Sequence, residues 1–273
     1  MVNTTTEQTQ LTYYGWSSFV IERSGVRLAF DPLYRKLFGG SWSQLHDYDD
    51  LQVVCVTHGH CDHLIDVPAI MRHTGAAAVS SAQICAHLEK KYRIPRDRLI
   101  PLAPGQQIEV AGFVIGVFAW GHREINSLKL IRDCLLKARI QPLLHFARLH
   151  FMEPPRGAPF LGYTVECKEG PRLMNYCEGF NNTTDPAAVR TLGRRYHPDV
   201  VLAGAQLDFE DDLANGLNAL SPKKAILFHP HSPMFAEFGL DEAPLEAFAA
   251  RVREVNPSME VAAARPRQTF ILE

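Results

Sequence analysis

The chain has 273 residues, 46% hydrophobic, 21% charged and 10% aromatic, with 28 Lys and Arg against 30 Asp and Glu and a formal net charge of −2. That length supports a large core in one domain, and the near-neutral balance excludes a surface-wide field for nucleic acid or an anionic membrane while leaving a local basic patch open. The polar start MVNTTTEQTQ is unlike a secretory signal, and no stretch reaches the roughly 18 uncharged apolar residues of a membrane span.

In chain order, 11–22 and 26–30 are strand candidates flanking Ser24-Gly25, a turn signal that predicts a hairpin. Asp31-Pro32 ends the second strand, because proline cannot continue a ladder. LQVVCVT (51–57) reads as a buried strand, 64–73 as a helix whose start Pro68 limits, 76–81 as a short strand and 82–92 as a helix. A second hairpin is expected over 106–120, turning at Ala111-Gly112. Residues 127–155 are rich in Leu and basic residues at helical spacing, broken at Pro142. Strand signals resume over 160–179 with a turn at Glu169-Gly170-Pro171, and Asp185-Pro186 opens a helix through about Tyr196. Residues 199–204 and 224–231 read as buried strands, 245–255 as an amphipathic helix and 267–273 as a last strand. The order predicts one α/β domain over 1–273, its sheets covered by helices, with a helical insert at about 123–160. Six scattered cysteines (Cys55, Cys61, Cys85, Cys134, Cys167 and Cys177) with no CxxC pair read as reduced thiols of a cytoplasmic protein.

The segment THGHCDH (57–63) concentrates three of the 12 histidines behind an apolar strand. His58 and His60, two apart, share one face of an extended segment. With Asp62 and His63 following at once, a short loop can aim four side chains into one space. Imidazole nitrogen and carboxylate oxygen are good ligands for zinc, and also for manganese or iron.

The motif HxHxDH resembles that of the metallo-β-lactamase superfamily. The resemblance implies a four-layer αββα sandwich with metals at one edge of its two sheets. It implies further ligands at later strand ends: His122 in VFAWGH, and His231 in HPHSPMF, with His229 the alternative on the same strand end. Asp31 in FDP resembles the aspartate that supports a ligand histidine. One position departs from the pattern. Where the family carries a bridging aspartate, LMNYCEGFNN offers Glu178, which can bridge, bind one metal, or be only a turn acid before Gly179.

The implied arrangement has His58, His60 and His122 on one metal, Asp62, His63 and His231 on the other, and Glu178 joining them. One or two zinc ions are expected, with manganese or iron as alternatives. A metal-activated hydroxide would attack a phosphoester, a lactone or another ester, with Asp62 as the catalytic residue that orients the water or holds its proton. The opening GWSSFVIE plus FDP looks most like the branch of the L-ascorbate phosphate lactonases and the N-acyl-phosphatidylethanolamine phospholipase D enzymes. That implies a small-molecule or lipid-like substrate and no nucleic acid; homo-oligomerisation is left open. A non-hydrolytic metal-holding sensor or scaffold is the alternative, suggested by the glutamate. Arg123 is either a contact for a substrate phosphate or a solvated arginine, and the insert is a lid, an interfacial helix, a dimer contact or a core-covering helical pair.

Overall fold

The computed structural model describes residues 8–37, 40–123, 132, 157–239 and 241–273. Most of the expected helical insert, with Lys129, Lys137, Arg139, His145, Arg148 and His150, lies outside the described residues, as does Cys134. In chain order the strands are β1 (Thr9–Tyr13), β2 (Phe19–Arg23), β3 (Val26–Phe30), β4 (Leu51–Cys55), β5 (Ala77–Ser80), β6 (Leu99–Pro101), β7 (Gln107–Val110), β8 (Phe113–Ala119), β9 (Leu161–Cys167), β10 (Arg172–Asn175), β11 (Val200–Gly204), β12 (Lys224–Phe228), β13 (Glu260–Ala263) and β14 (Gln268–Leu272). The helices are α1 (Cys61–Leu64), α2 (Val67–Thr74), α3 (Ala82–Tyr92), α4 (Pro186–Tyr196), α5 (Glu210–Leu220), α6 (Ser232–Phe238) and α7 (Leu245–Val255).

The strands form two sheets, ordered β14-β1-β2-β3-β4-β5-β6 and β13-β12-β11-β10-β9-β8-β7. Alternation along each strand divides the side chains between two environments. In β4, Val53 and Cys55 face the other sheet, while Val54 packs under α2 and α3 with Ile70, Met71 and Leu88. In β11 and β12, Leu202, Ile226 and Phe228 face inward, while Val201 and Leu227 pack under α4, α5 and α7. The result is the expected αββα sandwich, with one core between the sheets and one beneath each helical layer.

Two local differences from the sequence expectation have clear causes. The strand expected over 11–22 is a hairpin, because Gly15 (φ 88) and Trp16 (φ 52) take left-handed backbone and turn β1 into β2. A Cβ at Gly15 would fall 2.1 Å from the Trp42 ring, so glycine there serves both the turn and the packing. Helix α5 is not among the expected elements. It starts without a side-chain cap and contains Asn215-Gly216, which reads as a turn. Gly216 is needed in the helix for space, since its Cβ would lie 2.3 Å from the Phe180 ring. Strands β6 and β13 and helix α6 are likewise not among the expected elements, whereas two expected helices are capped by their own signals: Ser81 caps α3 by accepting from the Ile84 amide, and Asp185 caps α4 by accepting from Ala187.

Topology places the chemistry. Strands β3 to β6 are mutually parallel, and so are β10 to β13. Strand β8 runs in the direction of β10, since both are antiparallel to β9. The loops after β3, β4, β8, β10 and β12 therefore leave from the C-terminal ends of their strands, where open α/β sheets bind ligands.

The two sheets meet below that edge through rings. Phe19 stacks on Tyr13 (centroids 4.7 Å apart) and meets Phe228 edge-on at 5.0 Å. Phe228 is fully buried. Phe228→Ala should lower the unfolding free energy by about 3–5 kcal/mol in urea titration. A loss below about 1 kcal/mol would mean that the aromatic contact is not a close-packed part of the core.

Candidate metal centre

Strand β4 ends at Cys55, and the chain bends at Gly59 and His60, the latter the N-cap of α1 (φ −64, ψ 155). That bend brings His58 and His60 together, Nε2 of the first 2.9 Å from Nδ1 of the second. The turn of α1 then brings Asp62 and His63 together, Oδ2 to Nε2 at 3.2 Å.

Behind them, Asp31 leaves β3 with left-handed backbone (φ 41) and is fully buried. Its carboxylate accepts the Thr57 amide (2.8 Å), the Thr57 hydroxyl (2.7 Å) and Nδ1–H of His63 (2.8 Å). The single hydroxyl proton of Thr57 goes to Asp31, so its oxygen is free to accept Nδ1–H of His58 at 3.0 Å. His122 likewise gives its Nδ1–H to the carbonyl of Arg123 at 2.8 Å, since a carbonyl only accepts. In His58, His63 and His122 the far nitrogen, Nε2, thus points away from the hydrogen-bonded one and into the cluster. Metal-ligating histidines are oriented in this way.

The later strand ends complete the group. Glu178, three residues past β10, is 1% exposed. Its Oε1 lies 3.2 Å from His63 Nε2, and its Oε2 lies 3.5 Å from His122 Nε2 and 3.3 Å from His231 Nε2. His229 faces outward to Glu242 at 3.9 Å, and its carbonyl accepts the Tyr13 hydroxyl. The structure therefore sets His58, His60 and His122 in one set of mutually close donors and Asp62, His63 and Glu178 in another, with His231 against Glu178.

Charge varies from ring to ring: burial would lower His122, but the Glu178 carboxylate outweighs it and raises its pKa, unlike those of its neighbours His58 and His60. Burial keeps His58 well below the ordinary histidine pKa and brings His60 down to about 4, so both are neutral donors at pH 7. Burial would also lower His63, but the carboxylates of Asp62 and Asp31 outweigh it and hold its pKa well above the ordinary value. Burial would raise Glu178, yet the imidazoles of His231, His122 and His63 hold it ionised, well below the usual range. Among the described residues no Lys or Arg forms an ion pair with Asp31, Asp62 or Glu178.

These residues fit a metal. The buried Nε2 atoms of His63 and His122 and both carboxylate oxygens of Glu178 have no hydrogen-bond partner, although they lie close to one another. Donors on one tetrahedral ion, with bonds of about 2.0–2.1 Å, are about 3.3 Å apart, and the separations here are 3.2–3.5 Å.

The family model of the β-lactamase superfamily domain matches residues 27–231, from β3 to His231. The chain belongs to the β-lactamase superfamily. Within the superfamily it is similar to a protein of Methanopyrus kandleri named a UPF0173 metal-dependent hydrolase, 26% identical over 266 residues that cover 96% of this chain and 99% of that one. Its fold is similar to that of a metallo hydrolase from Ignicoccus hospitalis (TM-score 0.70, 22% identity, 97% of this chain and 99% of that one). It is also similar to that of CmlA, a diiron β-hydroxylase from Streptomyces venezuelae (TM-score 0.67, 13% identity, 98% of this chain and 55% of that one).

Two residues at the centre escape sequence reasoning. Thr57 carries no ligand pattern, yet its hydroxyl touches Asp31, His58 and His63. Cys177 reads as a core residue and is fully buried, but its Sγ lies within 4.8 Å of donors on both His58 and His63. Burial pushes its thiol pKa well up, so it sits there as a neutral thiol.

The depressed histidines make a signed prediction for the metal-free protein. Between the ordinary value near 6.5 and about 4, His60 is protonated in the unfolded chain and not in the folded one, so stability falls as pH falls through that window. Thermal unfolding of chelator-treated protein should show a lower Tm at pH 5 than at pH 7, and His60→Gln should flatten the difference. A Tm that does not change over the window would show that His60 is not held neutral by its surroundings.

Proposed function

We propose that this superfamily member is a metal-dependent hydrolase that cleaves a phosphoester, a lactone or another ester. His58, His60 and His122 hold one metal ion, Asp62, His63 and His231 hold a second, and Glu178 lies between the two groups. The observation that carries this reading is the Glu178 carboxylate, buried, ionised and without a hydrogen-bond partner, with one oxygen toward His63 and the other toward His122 and His231. The Methanopyrus relative, named a metal-dependent hydrolase, supports the hydrolase part of this reading.

A metal ion held there lowers the pKa of a bound water toward about 7 and polarises the bond to be cleaved. The chain's own residues do the rest. Asp62 remains ionised, because His63 offsets the burial that would raise its pKa, so it can take up a proton at its carboxylate. Asp31 and Thr57 fix the His63 and His58 rings. Nitrogen and oxygen donors suit zinc, manganese or iron. Zinc is the first expectation. Iron is the alternative, since the fold neighbour CmlA is a diiron protein.

A glutamate in place of aspartate is the feature that favours a non-hydrolytic metal-holding protein. The position of Glu178 argues against that reading, because its extra methylene leaves both oxygens inside the cluster.

Activity should separate the two readings. His60→Ala is expected to lose bound metal, measured by elemental analysis, together with hydrolysis of bis(4-nitrophenyl) phosphate and of a simple lactone. Asp62→Asn should lower kcat by about 10²–10⁴-fold. Wild-type protein that holds metal but turns over no phosphodiester, lactone or ester would favour the non-hydrolytic alternative.

A further inference from the structure

Arg123 is tied to both halves of the site. It follows His122 directly, and its carbonyl is the group that accepts Nδ1–H of that histidine. Its guanidinium lies 5.6 Å from the centre of the Phe235 ring, and the same ring stacks on His231 with centroids 5.6 Å apart and planes at 19°. Phe235 is itself buried, which fixes the platform. An arginine over an aromatic face keeps its plane and its charge while losing freedom.

The guanidinium is not fully used by the protein. Its Nε–H is enclosed and has no acceptor among the described residues. Among the described residues, the carboxylates that act on its charge are Glu178 and Asp208, and Glu178 is already shared among three histidines. A buried charged N–H without a partner is costly, and such a group in a native fold calls for an explanation. Beside a centre that cleaves esters, the explanation is a ligand. A guanidinium presents parallel N–H donors that match the paired oxygens of a phosphate or a carboxylate, and a neutral ester offers no such pair.

We propose that Arg123 binds an anionic oxygen pair on the substrate, so that the ester cleaved at this centre is an anionic one. The proposal rests on the hydrolase reading of the site and narrows its substrate class. The anion is either the phosphodiester being cleaved or a carboxylate next to a neutral ester bond. Arg123 acts through contact with substrate and supplies no ligand to the metals.

The test uses the full chain loaded with zinc, and separately with manganese, as wild type, Arg123→Gln and Arg123→Lys. Binding of inorganic phosphate is measured by calorimetry, with metal content checked in each variant. Turnover is measured on bis(4-nitrophenyl) phosphate, on 4-nitrophenyl hydrogen succinate and on neutral 4-nitrophenyl butyrate. Loss of a charge-assisted pair predicts that Arg123→Gln binds phosphate about tenfold more weakly or worse at unchanged metal content. The ratio of kcat/KM on the favoured anionic ester to that on butyrate should fall by about tenfold or more, mainly through KM. Arg123→Lys should fall between, keeping the charge and losing the fork. The anionic probe whose ratio falls further distinguishes phosphoryl from carboxylate. An unchanged phosphate affinity, no phosphate binding by wild type, or an equal loss on all three esters overturns the proposal. Wild type that cleaves none of the three esters counts against the hydrolase reading, and the phosphate titration then decides the role of Arg123 by itself.

Discussion

Three carboxylates, Asp31, Asp62 and Glu178, are buried together at one edge of the sandwich, above a hydrophobic core between its sheets. Burying one unpaired charge costs far more than any single contact in the core can offset, so a fold tolerates such a group only where opposite charge or several hydrogen bonds meet it. Here imidazole rings surround the carboxylates, and their far nitrogens turn inward. Asp31 is satisfied inside the protein by three donors from Thr57 and His63. Glu178 has no such donors. Its negative charge, with that of Asp62, is the constraint that the proposed metal centre would satisfy.

The fold supplies the rigidity this requires. Each group leaves a strand whose two faces are packed, one against the other sheet and one beneath helices. Asp31 (φ 41) and Cys177 (φ 53) take left-handed backbone without being glycine, at the ends of the loops that deliver Asp31 and Glu178. Left-handed backbone at residues other than glycine also occurs in this chain at turns and helix ends, and these two lie beside the clustered ligand candidates. Tyr13 links the inter-sheet ring stack to the same edge by donating its hydroxyl to the carbonyl of His229.

How much of this was legible in the sequence follows from how local each signal is. The group His58, His60, Asp62 and His63 lies within six residues, so spacing alone places it in one loop. His122 and His231 are visible as polar residues at the ends of apolar strands, and the structure brings both to Glu178. Spacing could not decide between His229 and His231, since alternation puts both on one face. The choice depends on how the chain turns into α6, which points His231 inward and leaves His229 facing Glu242. Thr57 was illegible because its partner Asp31 lies 26 residues away, and the contact exists only through the parallel pairing of β3 with β4. Helix α5 was hidden by Asn215-Gly216, whose glycine answers to the Phe180 ring and not to a turn.

The central claim is that Glu178 joins two metal positions. Crystals of the metal-loaded protein, measured at the absorption edge of the bound metal, test it directly. The account predicts two anomalous peaks about 3.5–4 Å apart, one beside His58, His60 and His122 and one beside Asp62, His63 and His231, with an oxygen of Glu178 within bonding distance of each. A single peak, or two peaks with Glu178 bonded to neither, would contradict it.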